Sequence, residues 1–353
     1  MQAPVIAEFL GHLLRASWQA SVLAVVVWLV IKGLGEHLNA RWRCRLWMLV
    51  IVRLAWPVSL PSPVSLFNLV TVPGILDAPG SPMDWGVAQP VVMTQFLENA
   101  WVQGLWWLVV GLLVLRTLLG VVWAMWVEWT ARPMDSWETW WILQTCKVDS
   151  RCDVPLAILE SRRVDAPCVL GVFRPRLILP VGILAELDCN ELRLVFLHEL
   201  AHLSRRDLAL NWLLAAVETI HWFNPLAWFV TRQLRMDREE DCDARALESQ
   251  PEAGRAYGEV ILKLIDRVGS PESVPEAPGM GSSILGGENA AIEPLIHRIH
   301  AIRRYRPGAR TGLVGFCSWL AVALIGLTDA EPRNWSDLAG DPREPESAEI
   351  QEV

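Results

Sequence analysis

Residues 196–207, FLHELAHLSRRD, set two histidines four apart with a glutamate directly after the first. On a helix His198 and His202 project from one face, one turn apart, with imidazoles close enough to share an ion. Glu199 lies about 100° further round, poorly placed as a third ligand but able to reach a water held on that ion. A zinc hydrolase needs this arrangement. Zinc held by three protein groups keeps a fourth position open, brings the pKa of its water to about 7 and polarises a carbonyl. Glu199 would take the proton of that water and later pass it to a leaving amine. The plain alternative is a helix whose histidines only pack or cap. Against it stand the mid-helix position among apolar residues and the acidic helix that follows after a return turn.

A third ligand is expected from MDREEDCDARAL, residues 236–247, where Glu239, Glu240, Asp241 and Asp243 all qualify by charge. Glu239 and Asp243 are four apart and share a face, so one can bind the metal while the other fixes the tautomer of a histidine. Glu240 and Asp241 point elsewhere and read as a solvated face. His221 reads as a structural histidine and Asp207 as the cap of the next helix.

The elements that must position these groups are also legible. Asp188 and Glu191 form a capping box that starts a helix running through HELAH. DLALNWLLAAVETIHWF is a second helix, apolar around most of its circumference, hence buried or resting against a membrane. Asn224-Pro225 breaks it, and Pro225 opens a third helix through the acidic segment. Upstream, VDAPCVLGVFRPRLILP (164–180) reads as two short strands with a turn at 171–175. Residues 268–288, rich in Pro, Gly and Ser, read as a flexible loop, and PLIHRIHAIRRYR as a basic amphipathic helix for an anionic membrane face or for the catalytic core.

With 52% hydrophobic residues and 20 Trp in 353, part of the chain is expected in a membrane. Four runs come near the roughly 20 residues a bilayer crossing needs: 17–31, 46–60, 101–126 and 311–327. Lys32, Arg41, Arg43 and Arg45 lie between the first two, whereas 57–100 contains no Lys or Arg, and Arg298, Arg303, Arg304, Arg306 and Arg310 precede the fourth. The positive-inside rule then puts 129–310 in the cytoplasm and the 57–100 loop and the acidic 329–353 tail outside. Arg53 and Arg116 interrupt apolar runs. They read either as a signal-coupling pair with a carboxylate or ligand, or as snorkelling side chains. No removable signal peptide is expected, so the first run stays as an anchor. Seven scattered cysteines without CxxC spacing read as reduced thiols, and a net charge of −8 argues against direct nucleic-acid binding.

The succession APCVLGVFRPRLILP, ELRLVFLHELAHLSRRD, NWLLAAVETIHWFNPLAWFV and DREEDCDARAL, behind transmembrane runs, resembles the BlaR/MecR-type integral-membrane zinc peptidases, signal transducers of beta-lactam resistance. The resemblance implies an α-helical membrane protein with four transmembrane helices and an inserted α+β gluzincin-like zinc peptidase domain. Its parts would be three spans in 1–128, a cytoplasmic peptidase domain at 129–310, the fourth span at 311–328 and an external tail at 329–353. It makes His198, His202 and Glu239 the Zn2+ ligands, Glu199 the catalytic base and Asp243 the support behind a ligand. It implies a bacterial inner-membrane location, self-cleavage, and cleavage of a winged-helix repressor, with the bilayer as a partner and a homodimer as an allowed assembly. The family's sensors carry a penicillin-binding domain after the fourth span, which this sequence does not include, so an external signal would be read elsewhere. In such sites an exposed strand edge beside the motif helix pairs with extended substrate. Leu177–Leu179 is a candidate edge, an interior strand being the other reading, and 268–288 a candidate self-cleavage segment. A housekeeping membrane protease of the prenyl-protein or heat-shock zincin type, and a receptor or scaffold without catalysis, are the alternatives.

Overall fold

The structure is a computed structural model that describes residues 3–56, 64–66, 99–268, 281–283, 292–305 and 312–328. Helix α1 (Ala3–Leu34) turns through a 3-10 segment (Gly35–His37) into α2 (Ala40–Ala55), and α3 (Ala100–Thr130) follows the 57–98 region. Next come β1 (Arg132–Pro133), α4 (Trp137–Asp149), β2 (Ala157–Ser161), β3 (Cys168–Leu170), β4 (Arg176–Pro180) and the short α5 (Ile183–Glu186). Helices α6 (Cys189–Ser204), α7 (Asp207–Ile220), α8 (Pro225–Ser249) and α9 (Gly254–Val268) then run in succession. Strand β5 (Gly281–Ser283), α10 (Ile292–Arg304) and α11 (Gly312–Gly326) complete the described elements.

The local signals explain these boundaries. Asp188 caps α6 through both bonds of the capping box, accepting from Glu191 N while Glu191 Oε2 accepts from Asp188 N. Asn224 caps α8 by accepting from Leu226 N, and Pro225 occupies the first helical position, where its missing N–H costs nothing.

Two helical stretches are long and apolar enough to cross a membrane, Phe9–Leu34 and Ala100–Thr130. Helix α3 leaves Leu108, Leu112, Leu115, Leu119 and Val122 exposed, an apolar surface larger than water-facing proteins usually carry. Helices α2 and α11, at 16 and 15 residues, are shorter than the about 20 a full crossing takes. The second apolar run continues past Trp56 outside the described residues, as do most of 57–98, most of 269–291 and the 329–353 tail.

Arg53 lies inside the helical bundle, buried and hydrogen-bonded to Gln19 on α1. Arg116 lines a small cleft with Glu218, Thr219 and Trp228. Gly315 and Gly326 let α11 approach its neighbours closely, because a Cβ at either position would overlap Trp42 of α2 or Leu23 of α1.

The five strands form one sheet in the order β1-β2-β4-β3-β5. β4 pairs parallel with β2 and antiparallel with β3, and β5 pairs antiparallel along β3. Leu177–Leu179 is therefore an interior strand, buried on both sides, and the edge reading is corrected: both ladders of β4 are taken. β3 lies between β4 and the short β5, which pairs along its other side. Beneath the sheet, Leu143, Val169, Leu177, Leu179, Phe196, Leu200, Tyr257 and Ile261 form one core, while α1, α2, α7, α8 and α11 share a second built on Leu23, Trp47, Ile51, Leu214, Val230 and Leu234.

Candidate metal centre

His198 and His202 are fully buried on α6, one turn apart, and their Nε2 atoms face each other at 3.1 Å. α8 crosses this turn and brings Glu239 to them, Oε2 lying 3.5 Å from His198 Nε2 and Oε1 3.6 Å from His202 Nε2. One ligand atom from each of the three residues falls within 4.8 Å of the others. Three donors at about 2.0–2.1 Å from a tetrahedral zinc would lie about 3.3–3.4 Å apart, and the observed 3.1–3.6 Å brackets that spacing.

The hydrogen bonds behind the histidines aim both Nε2 lone pairs inward. His202 Nδ1 donates to Asp207 Oδ2 at 2.8 Å. His198 Nδ1 lies 3.0 Å from Asp243 Oδ1 and 2.8 Å from the hydroxyl of Tyr257, which itself donates to Asp243 Oδ1 at 2.7 Å. With both Nδ1 protons committed, two neutral imidazoles would oppose lone pair to lone pair across 3.1 Å, and only a cation between them relieves that. Glu239 Oε2, buried and without a hydrogen bond among the described residues, adds a negative charge at the same place. The residues fit a divalent metal.

Without metal, a proton meets this demand. Burial would lower the pKa of His198, but the close Asp243 carboxylate and the charge of Glu239 outweigh it and push the group up to about 9. His202 moves down, by burial and by its neighbour His198, against the pull of Glu239 and Asp207. Protonation is thus favoured on His198 over His202. Asp207 and Asp243 stay ionised well below the usual carboxylate range. Burial alone would raise both; Arg238 and Arg205 around Asp207, and Arg298 on Asp243, reverse that, together with the histidine hydrogen bonds.

Each residue singled out from the sequence can now be located. His198, His202 and Glu239 converge, Asp243 lies directly behind His198, and Glu199 is fully buried in the same turn without belonging to the three-ligand group. His221 is remote from the centre, its Nε2 3.2 Å from the carbonyl of Leu54. Asp207 does not cap α7, whose preceding residue Arg206 has left-handed backbone and no side-chain cap; its carboxylate orients His202 instead. Glu240 and Asp241 point away from the centre as expected, but they are buried, not solvated, because arginines of α2 meet them. Tyr257 and Arg298 were not apparent, each arriving on a helix whose own pattern carries no site signal. A second trio, His202, Asp207 and Cys242, uses the other nitrogen of His202. Burial holds the Cys242 thiol protonated, well above its ordinary pKa, so it serves that trio as a hydrogen-bond neighbour.

Known proteins share these segments. Over 159 residues the chain is 31% identical to the regulatory protein BlaR1 of Bacillus licheniformis, covering 45% of this chain and 26% of that protein. Over 110 residues it is 33% identical to the methicillin resistance mecR1 protein of Staphylococcus aureus, covering 31% of this chain and 19% of that one. The chain thus matches about a quarter or less of the length of these relatives. The sequence profile of the BlaR1 peptidase M56 family matches residues 11–283, a stretch that includes α6 and α8 with all three converging side chains, and the chain therefore belongs to the BlaR1 peptidase M56 family of metallopeptidases.

Proposed function

We propose that this protein is a zinc-dependent membrane endopeptidase acting in signal transduction. The convergence of His198, His202 and Glu239 at tetrahedral spacing, each histidine backed by its own carboxylate, carries the reading. These three residues would hold the ion, which when bound would acidify a water and polarise a carbonyl. Glu199, next to a ligand and buried, would serve as the general base toward an attacking water and return the proton to the leaving amine. Asp207 and Asp243 hold the Nδ1 protons so that both Nε2 atoms remain donors to the metal. A receptor or scaffold with a purely structural site has no use for a glutamate in that position.

Substrate is aligned as an added strand on β3. The support is internal: residues 281–283 pair antiparallel along β3 and pack against α6 and α7, so a piece of the chain's own 268–288 segment lies where an extended peptide would run. This favours self-cleavage in that segment, with a cytoplasmic winged-helix repressor as the regulated substrate, the role suggested by relatives named as regulatory and resistance proteins. The proposed organisation is three spans in 1–128, a cytoplasmic peptidase domain at 129–310, a fourth span at 311–328 and an external tail, in a bacterial inner membrane, with homodimerisation allowed.

New peptide termini mapped by mass spectrometry in cells expressing wild type or Glu199→Ala test this. Termini found only with wild type, including one within 268–288, are expected and would identify the substrates. Identical maps under inducing conditions would remove catalysis and leave the receptor reading.

A further inference from the structure

The centre holds a cation that neither the metal nor the general base accounts for. Arg298, on α10, is 5% exposed and lies beyond the residues matched by the family profile. Its neighbours Arg303 and Arg304 on the same helix are exposed, so α10 directs this guanidinium inward while leaving those two in solvent. Nε donates to Asp243 Oδ2 at 2.9 Å and Nη2 to Asp243 Oδ1 at 2.8 Å, a two-pronged grip on both carboxylate oxygens. Nη1 lies 3.6 Å from Glu239 Oε2, the oxygen nearest His198 Nε2.

We propose that Arg298 is a positioning residue of the metal centre: its guanidinium fork fixes the Asp243 carboxylate that orients His198, and its third nitrogen steers Glu239 toward the ion. The inference rests on the metal-centre reading and extends it to a part of the chain outside the matched region. The need is physical. Asp243 Oδ1 receives Arg298, Tyr257 and His198 together, an arrangement that survives only while the carboxylate cannot rotate. Half-buried Glu239 and buried Asp243, one turn apart on α8, are like charges on one face, and a cation between them lets both face the centre. Lysine carries the charge without the planar fork, so it replaces only part of this role.

The test is zinc affinity of the full-length, metal-free protein in detergent, by competition with a fluorescent chelator. Wild type is compared with Arg298→Gln, Arg298→Lys, Asp243→Asn and the double variant Arg298→Gln/Asp243→Asn, and cobalt absorption reports the geometry of the site. Arg298→Gln is expected to bind zinc about 10–100-fold more weakly, with altered cobalt bands, and Arg298→Lys to fall between it and wild type. The double variant should lose clearly less than the sum of the two single losses, because the main grip of Arg298 acts through that carboxylate. A folded Arg298→Gln protein with wild-type affinity, or losses that add in the double variant, would overturn the role. If Arg298→Gln does not fold, Arg298→Lys decides, and wild-type affinity there overturns the proposal. A wild type that binds no zinc removes the metal centre itself, an outcome distinct from a zinc-binding wild type whose Arg298 variants are unaffected.

Discussion

For single side chains, a proton and the proposed metal would compete for the same lone pairs. His198 in the metal-free fold is pushed up to about 9, so at neutral pH the ion must displace a proton from it. Apparent metal affinity should therefore rise about tenfold per pH unit up to about pH 9 and then level off. A flat profile between neutral pH and that point, measured by chelator competition, would contradict the protonated pair. Stability of the metal-free fold runs the other way. The folded value lies above the ordinary 6.5, so the contribution of His198 is complete below 6.5 and is lost as pH rises through about 9. Glu199→Gln separates binding from chemistry: it should keep zinc affinity while cleavage falls by about 10²–10⁴. Lost zinc binding would instead make Glu199 part of the ligand frame. Helix geometry groups His198 with His202 and Glu239 with Asp243 from spacing alone, while the choice of Glu239 as the ligand of its pair came from the family resemblance. Asp207, Tyr257 and Arg298 reach the centre through tertiary packing, for which a single sequence carries no spacing signal.

Among the elements, α8 joins the apolar helices to the candidate metal centre. Its first half packs Val230 and Leu234 into the core shared with α1, α2 and α11, and its second half carries Glu239 and Asp243. Between the two lies a clasp with α2: Arg43 donates to Asp237 Oδ1 at 2.7 Å and also pairs with Glu240, and Trp47 Nε1 donates to Asp237 Oδ2 at 3.1 Å. Asp241 extends it, meeting Arg41 of α2 and also Arg205, whose Nε lies 3.4 Å from Asp207 Oδ1. A displacement of α2 thus has a continuous polar route to the carboxylate behind His202. Reading Glu240 and Asp241 as solvated failed because their partners stand about 200 residues away on α2, whereas the caps and breaks that bound α6 and α8 are local and were legible. Arg43→Gln strands two buried carboxylates and should cost about 3 kcal/mol, read as a lower unfolding midpoint in detergent. Adding Asp237→Asn should recover part of that loss; strictly additive losses would mean that the two side chains do not form one clasp.

At the scale of the whole molecule, the proposed topology requires the half that carries the candidate metal centre and the basic ends of α1, α2 and α10 to share one side of the membrane. Lys32 stands in the last turn of α1, Arg41 and Arg43 at the start of α2 pair with carboxylates of α8, and Arg303 and Arg304 end α10 just before α11. Two native cysteines test this orientation without engineered labels. Cys189, the first residue of α6, is exposed, whereas Cys317 is exposed on the apolar α11, where lipid would cover it. A membrane-impermeant maleimide should modify Cys189 in inverted vesicles and not in right-side-out ones, while Cys317 reacts only with an apolar reagent. The hydrogen bond and charge of Glu138, 3.1 Å from the sulfur, raise the Cys189 thiol pKa, so its labelling should quicken as pH rises. Labelling of Cys189 from the outer face would invert the proposed topology and remove a cytoplasmic repressor from reach of the centre. Labelling of Cys317 by the impermeant reagent would show α11 lying in water, and the metal-bearing half would then be tied to the membrane through α1, α2 and α3 without a fourth crossing.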